Sequence, residues 1–252
     1  MSFARAVEPI RQVPIWLAAA ALWLAALPAA AAEFSVSPIR LFFERGARSA
    51  VVSVTNDSKQ PLRMQLRLAE WTQDADGQDV YRDSEDLVYF PKLMTIEPGE
   101  KRLVRIGPKA PGAGERTYRL FLDELRDDAK PQSGSAAVTF SIRFALPIFF
   151  VPAEPKPRGE IEAISLEAGV LKVTVANPGN QHFRIETLRA EAGGAPLKEI
   201  AGWYLLPGAR RVHRIEIPAE ACARLRRLEV AVKADRVTLQ RAFEVAPGAC
   251  AR

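Results

Sequence analysis

The feature that most constrains the fold is a series of short apolar segments with a period close to two, separated by turn-forming residues. From Glu33 onward the segments read FSVSPIRLFF, SAVVSVTN, LRMQLRLAEW, LVYF, LMTI, KRLVRI, TYRLFLDEL and AVTFSIRFALPIFFV. This alternation is typical of β-strands that bury one face. The intervening stretches NDSKQP, DADGQD, EPGE and PKAPGAGE are rich in residues that favour turns. Strands at this spacing, without helices between them, predict an all-β sandwich.

A proline-rich segment separates this series from a second one. Residues 152–159, PAEPKPRG, predict a semi-rigid linker because proline restricts the backbone and little in the segment could pack. A further set of strand-like segments follows: IEAISLEAG, VLKVTVANPGN, HFRIETLRAE, WYLLPGARRVHRIEIP, RRLEVAVKA and LQRAFEVAP. We therefore predict an N-terminal domain over 33–151 and a C-terminal domain over 160–252. The stretch AEACARLRRL at 219–228 is also compatible with a short amphipathic helix that begins after Pro218.

The first 32 residues have the pattern of a secretory signal peptide. Arg5 and Arg11 precede the apolar run IWLAAAALWLAALPAAAA, whose small residues at 30–32 predict the cleavage site. The alternative is an uncleaved anchor helix, for which the apolar run is short. No second membrane segment follows in the sequence, so we expect no membrane insertion after cleavage.

Charge and cysteine content limit the classes of partner. The chain has 35 basic and 30 acidic residues, and they are interleaved, so no nucleic-acid surface is expected. The two cysteines, Cys222 and Cys250, would reach an oxidising compartment after export, where they could form one disulfide. Two separate thiols are the alternative, because the sequence does not give the distance between the two Cα atoms.

No group of residues indicates catalysis. His182 and His213 have no neighbouring cysteine or paired carboxylate, so both are expected to be ordinary surface or boundary residues. DADGQD lacks the bidentate glutamate of a calcium loop, and its Asp76 and Gly77 predict a hairpin turn instead. The sequence also has no Gly-rich phosphate loop between a strand and a helix. We therefore expect no enzyme activity, no cofactor and no metal site.

Three arginines lie between apolar residues within predicted strands. These are Arg40 in SPIRLFF, Arg119 in TYRLFLDEL and Arg143 in FSIRFALP. An unpaired buried charge costs on the order of several kcal/mol, so each guanidinium needs water or a partner. Each could reach water or a local acidic residue by itself. Alternatively, their planar forks could converge on an anion such as the C-terminal carboxylate of another chain.

The segment SAAVTFSIRFALPIFF raises a similar question about partners. Its large apolar residues alternate with smaller or polar ones, at Val138, Phe140, Ile142, Phe144 and Leu146. A strand with this pattern must cover its apolar face either with its own core or with another protein. The periodicity alone leaves both interpretations open.

In their order and spacing, these segments resemble the periplasmic pilus-assembly chaperones of the chaperone-usher pathway. The resemblance covers residues 34–245 and is carried by VSPIRLFFERGARSAVVSVTN, EWTQDADGQDV, TIEPGEKRLVRI, TYRLFLDEL, AVTFSIRFALPIFFVP and VANPGNQHFRI. It implies two immunoglobulin-like β-sandwich domains in a boomerang arrangement. It also implies a chaperone in the Gram-negative periplasm that needs no nucleotide, caps pilin subunits by donating a strand, and delivers them to an outer-membrane usher. The free chaperone could cap its own strand by dimerising. The alternative is an exported structural or adhesive protein.

The resemblance also implies roles for the donated strand. Val138, Phe140, Ile142 and Phe144 match the positions that fill the groove of a pilin subunit lacking a strand of its own. On the other interpretation the same side chains face the chaperone's own core.

The resemblance further implies a basic anchor for the subunit's C-terminal carboxylate. Arg40 matches its first member, but Pro147 stands where the best-known branch has a lysine, which suggests the archaic, spore-coat-U-type branch. We favour Arg119 as the replacement, because its strand should lie beside the donor strand, with Arg143 as the second choice. Val151 replaces an arginine of the family's interdomain salt-bridge network, so the domain interface is expected to be held differently.

Overall fold

The computed structural model describes residues 34–110, 114–125 and 141–250. The strands of the first series are β1 (Phe34–Ser37), β2 (Leu41–Phe43), β3 (Ala50–Asn56), β4 (Leu62–Gln73), β5 (Asp79–Asp83), β6 (Leu87–Phe90), β7 (Leu93–Ile96), β8 (Lys101–Pro108), β9 (Arg116–Glu124) and β10 (Arg143–Phe150). Those of the second series are β11 (Glu160–Glu167), β12 (Val170–Ala176), β13 (Phe183–Ala192), β14 (Ala195–Ala201), β15 (Tyr204–Leu205), β16 (Arg210–Glu216), β17 (Arg227–Ala234) and β18 (Thr238–Glu244). One short helix, α1 (Ala219–Cys222), precedes β17. The all-β prediction is confirmed.

The first ten strands form two sheets packed face to face. One sheet has the order β1-β3-β8-β6, and the other has the order β2-β10-β9-β4-β5 with β7 also paired to β4. Alternate residues of each strand point between the sheets, and the core includes fully buried Val52, Met64, Ile106, Leu120 and Ile148. Burying a side chain of this size contributes about 1.5–3 kcal/mol. The side chains on the opposite face of the β10-β9-β4 sheet do not belong to this core and can contact other groups.

The last eight strands form a second pair of sheets with a separate core. Their orders are β11-β12-β16 and β14-β13-β17-β18, with β15 also paired to β13. Helix α1 is a single turn that begins after Pro218. Its Cys222 is joined to Cys250 by a disulfide, with the two Cα atoms 5.7 Å apart. The bridge ties the C-terminal segment to the second core. No strand is formed by residues 151–159, which connect the two series.

The DADGQD segment forms the hairpin turn that joins β4 to β5, as its sequence predicts. The Asp74 carboxylate accepts the backbone N–H groups of Asp76 and Gln78, at 2.9 and 2.8 Å. Gly77 has φ near 75°, a left-handed conformation that glycine adopts without a steric cost. This turn brings β5 back along β4.

The predicted signal peptide lies outside the described residues. Within the described ranges, no helix is both long and apolar enough to cross a membrane.

Candidate functional site

The side chains of β10 point alternately into the first core and away from it. Leu146 and Ile148 are fully buried in that core, and half-buried Phe144 packs against it. From Phe144 onward, the apolar face of the strand is therefore covered by the protein's own sandwich. The groove contact proposed for Phe144 stays a prediction.

Ile142 lies just before β10 and is 36% exposed. Its backbone remains tied to β9, since its C=O accepts the Glu124 N–H at 3.0 Å. Val138 and Phe140, the other two proposed groove residues, lie outside the described residues. Among the four, Ile142 is thus the residue that the structure places with an exposed apolar side chain, and the donor-strand assignment stays a prediction.

One edge of β10 lacks a neighbouring strand over most of its length. Because the Ile142 C=O pairs with β9, even-numbered residues direct their backbone groups to β9 and odd-numbered residues direct theirs to the other edge. On that other edge β2 pairs in parallel with Ile148–Phe150 only. Residues 143–147 have no second neighbour in the described ranges, and Pro147 has no N–H to offer there. Among the described residues, no strand therefore pairs with this edge of β10 between residues 143 and 147, although the Ala145 C=O accepts a hydrogen bond from the Arg119 side chain.

Two of the three proposed anchor arginines belong to segments on either side of Pro147. Arg119 lies opposite Pro147 on β9, and Arg40 immediately precedes Leu41, the β2 residue that pairs in parallel with Ile148. Arg143 pairs with Asp123 across the strands, its side chain is 62% exposed, and it makes an ion pair with that carboxylate. It lies four residues along the sheet from the level of Arg119, roughly 13 Å away. The backbone positions of Arg40 and Arg119 therefore flank one point on β10, and that of Arg143 does not.

Arg119 is enclosed by aromatic rings from both sandwiches and is only 3% exposed. Its Cζ lies 3.8 Å from the centroid of the Trp71 ring, 5.5 Å from that of Trp203 and 5.6 Å from that of Tyr204. Its Nη1 donates a hydrogen bond to the C=O of Ala145 at 3.3 Å. Cation–π contact with the rings and this single hydrogen bond hold the guanidinium against β10.

The remaining polar edge of this guanidinium is unpaired. Arg119 Nε and Nη2 are buried and have no hydrogen-bond partner among the described residues. These two nitrogens lie on the same side of the planar group, the edge on which a carboxylate can accept two parallel hydrogen bonds. Burial lowers the pKa of Arg119, and the nearby Tyr81 and Asp79 partly offset this effect. The Tyr81 hydroxyl lies close enough to the guanidinium to act as a weak acceptor, but it is not in hydrogen-bonding geometry with Nε or Nη2. Arginine nevertheless stays charged in proteins, so the site combines a buried positive charge with two free donors.

The Asp79 carboxylate, from the first sandwich, lies beside the aromatic rings that surround Arg119. Asp79 Oδ2 accepts a hydrogen bond from Trp203 Nε1 at 2.8 Å and another from the Tyr81 hydroxyl at 3.2 Å. Its Oδ1 accepts a hydrogen bond from Gln73 Nε2 at 3.0 Å. The β4–β5 hairpin therefore fixes the position of Trp203, which belongs to the second series of strands.

The same hairpin makes further contacts with the second sandwich. The Gln73 side chain donates to the Tyr204 C=O and accepts the Leu206 N–H, both at 2.9 Å. Gly77 approaches Arg210 so closely that a Cβ atom at residue 77 would collide with the Arg210 backbone oxygen. None of these residues was singled out by the sequence for this role.

A buried histidine–glutamate pair also joins the sandwiches. The Glu115 carboxylate accepts the His182 backbone N–H at 2.8 Å, and its second oxygen lies 2.9 Å from His182 Nδ1. The His182 ring stacks on Phe149 with a centroid distance of 3.7 Å. The expectation that His182 is a surface or boundary residue was wrong: it is 1% exposed, because its ring fills the space between Phe149 and Glu115. These contacts, rather than one at Val151, link the two sandwiches.

His213 is likewise buried, at 8% exposure, so the same expectation was wrong for it. It lies on β16, where its Nε2 has no hydrogen-bond partner among the described residues. Burial, with a smaller contribution from Arg211, lowers its pKa to about 4. Within the described ranges, no three His, Cys, Asp or Glu side chains come together to hold a metal ion.

Two packed pairs of sheets, with an incompletely paired strand edge beside a buried arginine, define an all-β protein of two sandwiches. Residues 33–156 match the family described as pili and flagellar-assembly chaperones, PapD N-terminal domain. The first series of strands is therefore the N-terminal domain of a pilus-assembly chaperone.

Comparisons over most of the chain find proteins that are similar in sequence or in fold. The chain is 24% identical over 211 residues to the chaperone protein FimB/FhaD of Bordetella pertussis, which covers 78% of this chain and 83% of that protein. It is similar in fold to a chain of the CsuC–CsuE chaperone–tip adhesion subunit pre-assembly complex from the archaic Csu pili of Acinetobacter baumannii, with a TM-score of 0.61, 21% identity, and coverage of 84% of this chain and 97% of that one. It is also similar to a chain of the Salmonella enterica SafA pilin–SafB chaperone complex, with a TM-score of 0.53, 18% identity, and coverage of 83% and 96%.

Proposed function

We propose that this protein is a periplasmic chaperone that caps pilin subunits by donor-strand complementation and holds the C-terminal carboxylate of each subunit at Arg119. The observation that carries the anchor is the unpaired Nε and Nη2 edge of a guanidinium that is 3% exposed. A cation with two free donors in this setting is costly unless an anion satisfies it.

The open edge of β10 supports strand donation. A pilin strand that adds there would pair with the outward backbone groups that remain available, such as the N–H groups of Arg143 and Ala145, while apolar side chains of the donor fill its groove. Arg119 is bonded directly to the C=O of Ala145 on this strand. The end of an added pilin chain would therefore arrive beside the free edge of the guanidinium.

Arg40 is the second cation that we assign to this anchor, because its segment flanks Pro147 from the β2 side. Arg143 is a weaker candidate. It is exposed, already makes an ion pair with Asp123, and lies further along the strand.

The remaining parts of the proposal follow from the family. Export by the segment at 1–32 would place the chaperone in the periplasm, and release of the pilin would occur at an outer-membrane usher. Pro147 in place of the anchor lysine, together with the similarity to the Csu complex, supports the archaic branch. Self-capping by dimerisation would protect Ile142 and its neighbours in the free chaperone. The family match favours this function over that of a structural or adhesive protein.

Co-purification with a candidate pilin subunit from periplasm tests the proposal. We expect wild type to retain the pilin and both Ile142→Asp and Arg119→Ala to lose it, while circular dichroism shows each variant folded. Arg143→Ala serves as the matched control and should retain the pilin. Loss with Ile142→Asp and Arg143→Ala, but not with Arg119→Ala, would move the anchor to Arg143. Retention by all variants would reject strand donation at this edge.

A further inference from the structure

The free edge of Arg119 is closed off in the structure of the chaperone alone. Both unpaired nitrogens are buried, and the residue is 3% exposed. A carboxylate that binds there must first displace something. The question is which of the surrounding groups can move.

The rings around Arg119 differ in how firmly they are packed. Trp71 is fully buried and Tyr204 is 6% exposed, and both belong to the apolar cluster between the sandwiches. Trp203 and Tyr81, in contrast, are each 39% exposed. Trp203 lies in the two-residue connection between β14 and β15, outside both strands. It is therefore the ring that can leave with the least loss of packing.

One carboxylate oxygen holds the two exposed rings in place. Trp203 Nε1 and the Tyr81 hydroxyl both donate to Asp79 Oδ2. Asp79 is itself positioned by Gln73. If Asp79 loses Trp203, the ring loses a hydrogen bond to a charged group and keeps its contacts with Tyr204 and the guanidinium.

We propose that Trp203 is a lid over the anchor, that Asp79 holds it closed, and that the C-terminal carboxylate of a bound pilin opens it. This inference rests on the proposed function, since it assumes that Arg119 receives that carboxylate. An arriving carboxylate gains the two free donors of Arg119 and repels the negative charge of Asp79, and both effects favour the open position.

The lid would make anchoring depend on strand addition. A carboxylate tethered by an added strand has a high effective concentration at the site, whereas a free anion does not. The tethered group can therefore offset the cost of moving Trp203, and small anions in solution remain excluded. The site would select a chain end that is already docked along β10.

Chemical labelling of the free, full-length mature chaperone tests the lid without any pilin. Phenylglyoxal modifies accessible arginines, and peptide mass spectrometry gives the rate at each residue. Exposed Arg143 serves as the internal reference. We expect Arg119 to be protected in wild type and labelled about tenfold faster in Asp79→Ala and in Trp203→Phe, because each removes a hydrogen bond to a charged group. Asp83→Ala, on the same strand but paired with Arg67, should leave the rate unchanged.

The outcomes separate the lid from the anchor. If Arg119 is labelled as fast as Arg143 in wild type, the site stands open and the lid is rejected. If Asp79→Ala and Trp203→Phe both fold and leave Arg119 protected, the latch is rejected, even where Arg119→Ala loses the pilin. If the labelling is as expected but Arg119→Ala retains the pilin, the anchor fails, and with it the role proposed for the lid.

Discussion

Arg119→Met distinguishes the effect of Arg119 on the stability of the free chaperone from its role in binding the pilin. Methionine can keep an unbranched stem against Trp71, but it removes the charge and the two unpaired donors, which cost about 1–3 kcal/mol each in the free protein. The losses are cation–π contact with three rings, about 1–2 kcal/mol, and the 3.3 Å hydrogen bond to Ala145, roughly 1 kcal/mol. Gains and losses are close, and replacing a buried ionic group with an apolar one is often neutral or stabilising. We expect a gain of between zero and about 2 kcal/mol in the free energy of unfolding, together with loss of the pilin.

Urea unfolding at pH 7 measures the first effect, and co-purification measures the second. Leu120→Ala, at the next residue along β9, is the control for sensitivity: it empties a fully buried site and should cost about 2–5 kcal/mol. If Arg119→Met destabilises the chaperone by more than about 2 kcal/mol, the guanidinium is fully satisfied in solution and our reasoning about its free edge is wrong.

Three other perturbations probe the second sandwich and its contact with the first. Reducing the bridge between Cys222 and Cys250, which are separated by 28 residues, should cost roughly 3–4 kcal/mol; an unchanged urea midpoint in dithiothreitol would contradict this. Burial lowers the pKa of His213 from its ordinary 6.5 to about 4 in the folded protein. The free energy of unfolding should therefore be unaffected by this group above pH 6.5 and should fall by roughly 3 kcal/mol as the pH drops to 4. His213→Leu should lack this component when urea midpoints are compared at both pH values; equal slopes would refute it. Gly77→Ala should increase hydrogen exchange at the contact between the sandwiches. Gly46→Ala, with a similar positive φ but nothing within 4 Å of its Cβ, should not; equal effects would mean that close approach is unimportant.

The strands and one turn could be predicted from the sequence because their causes are local. Period-two alternation reflects burial of one face of a strand, and the Asp76–Gly77 pair favours a hairpin by its own backbone preferences. The same alternation in β10 could not show what covers its apolar face. That depends on the partner, and Phe144 packs inward while Ile142 remains exposed.

The site was predicted only in part, because its members are distant in sequence. Arg119 could be predicted as a candidate because it is a charge within an apolar strand, which is a local signal. Its environment depends on Trp203, and the burial of His182 depends on Glu115, 67 residues away. No periodic pattern connects such positions. The packing of the two sandwiches brings them together, so only the folded structure shows them.

Pro147 has a consequence for how a visiting strand is aligned. The open edge of β10 offers N–H donors at residues 143 and 145, and the next outward position is a proline. Strand pairing can in principle slip by two residues while keeping the same side chains inward. Because Pro147 has no N–H, a carbonyl placed opposite it receives no hydrogen bond. Registers that place a carbonyl there are therefore less stable than registers that do not. Pro147, which stands where the best-known branch has a lysine, would then help to set the register of the added pilin strand. It would thereby determine how far along the edge that strand extends before it reaches Arg119.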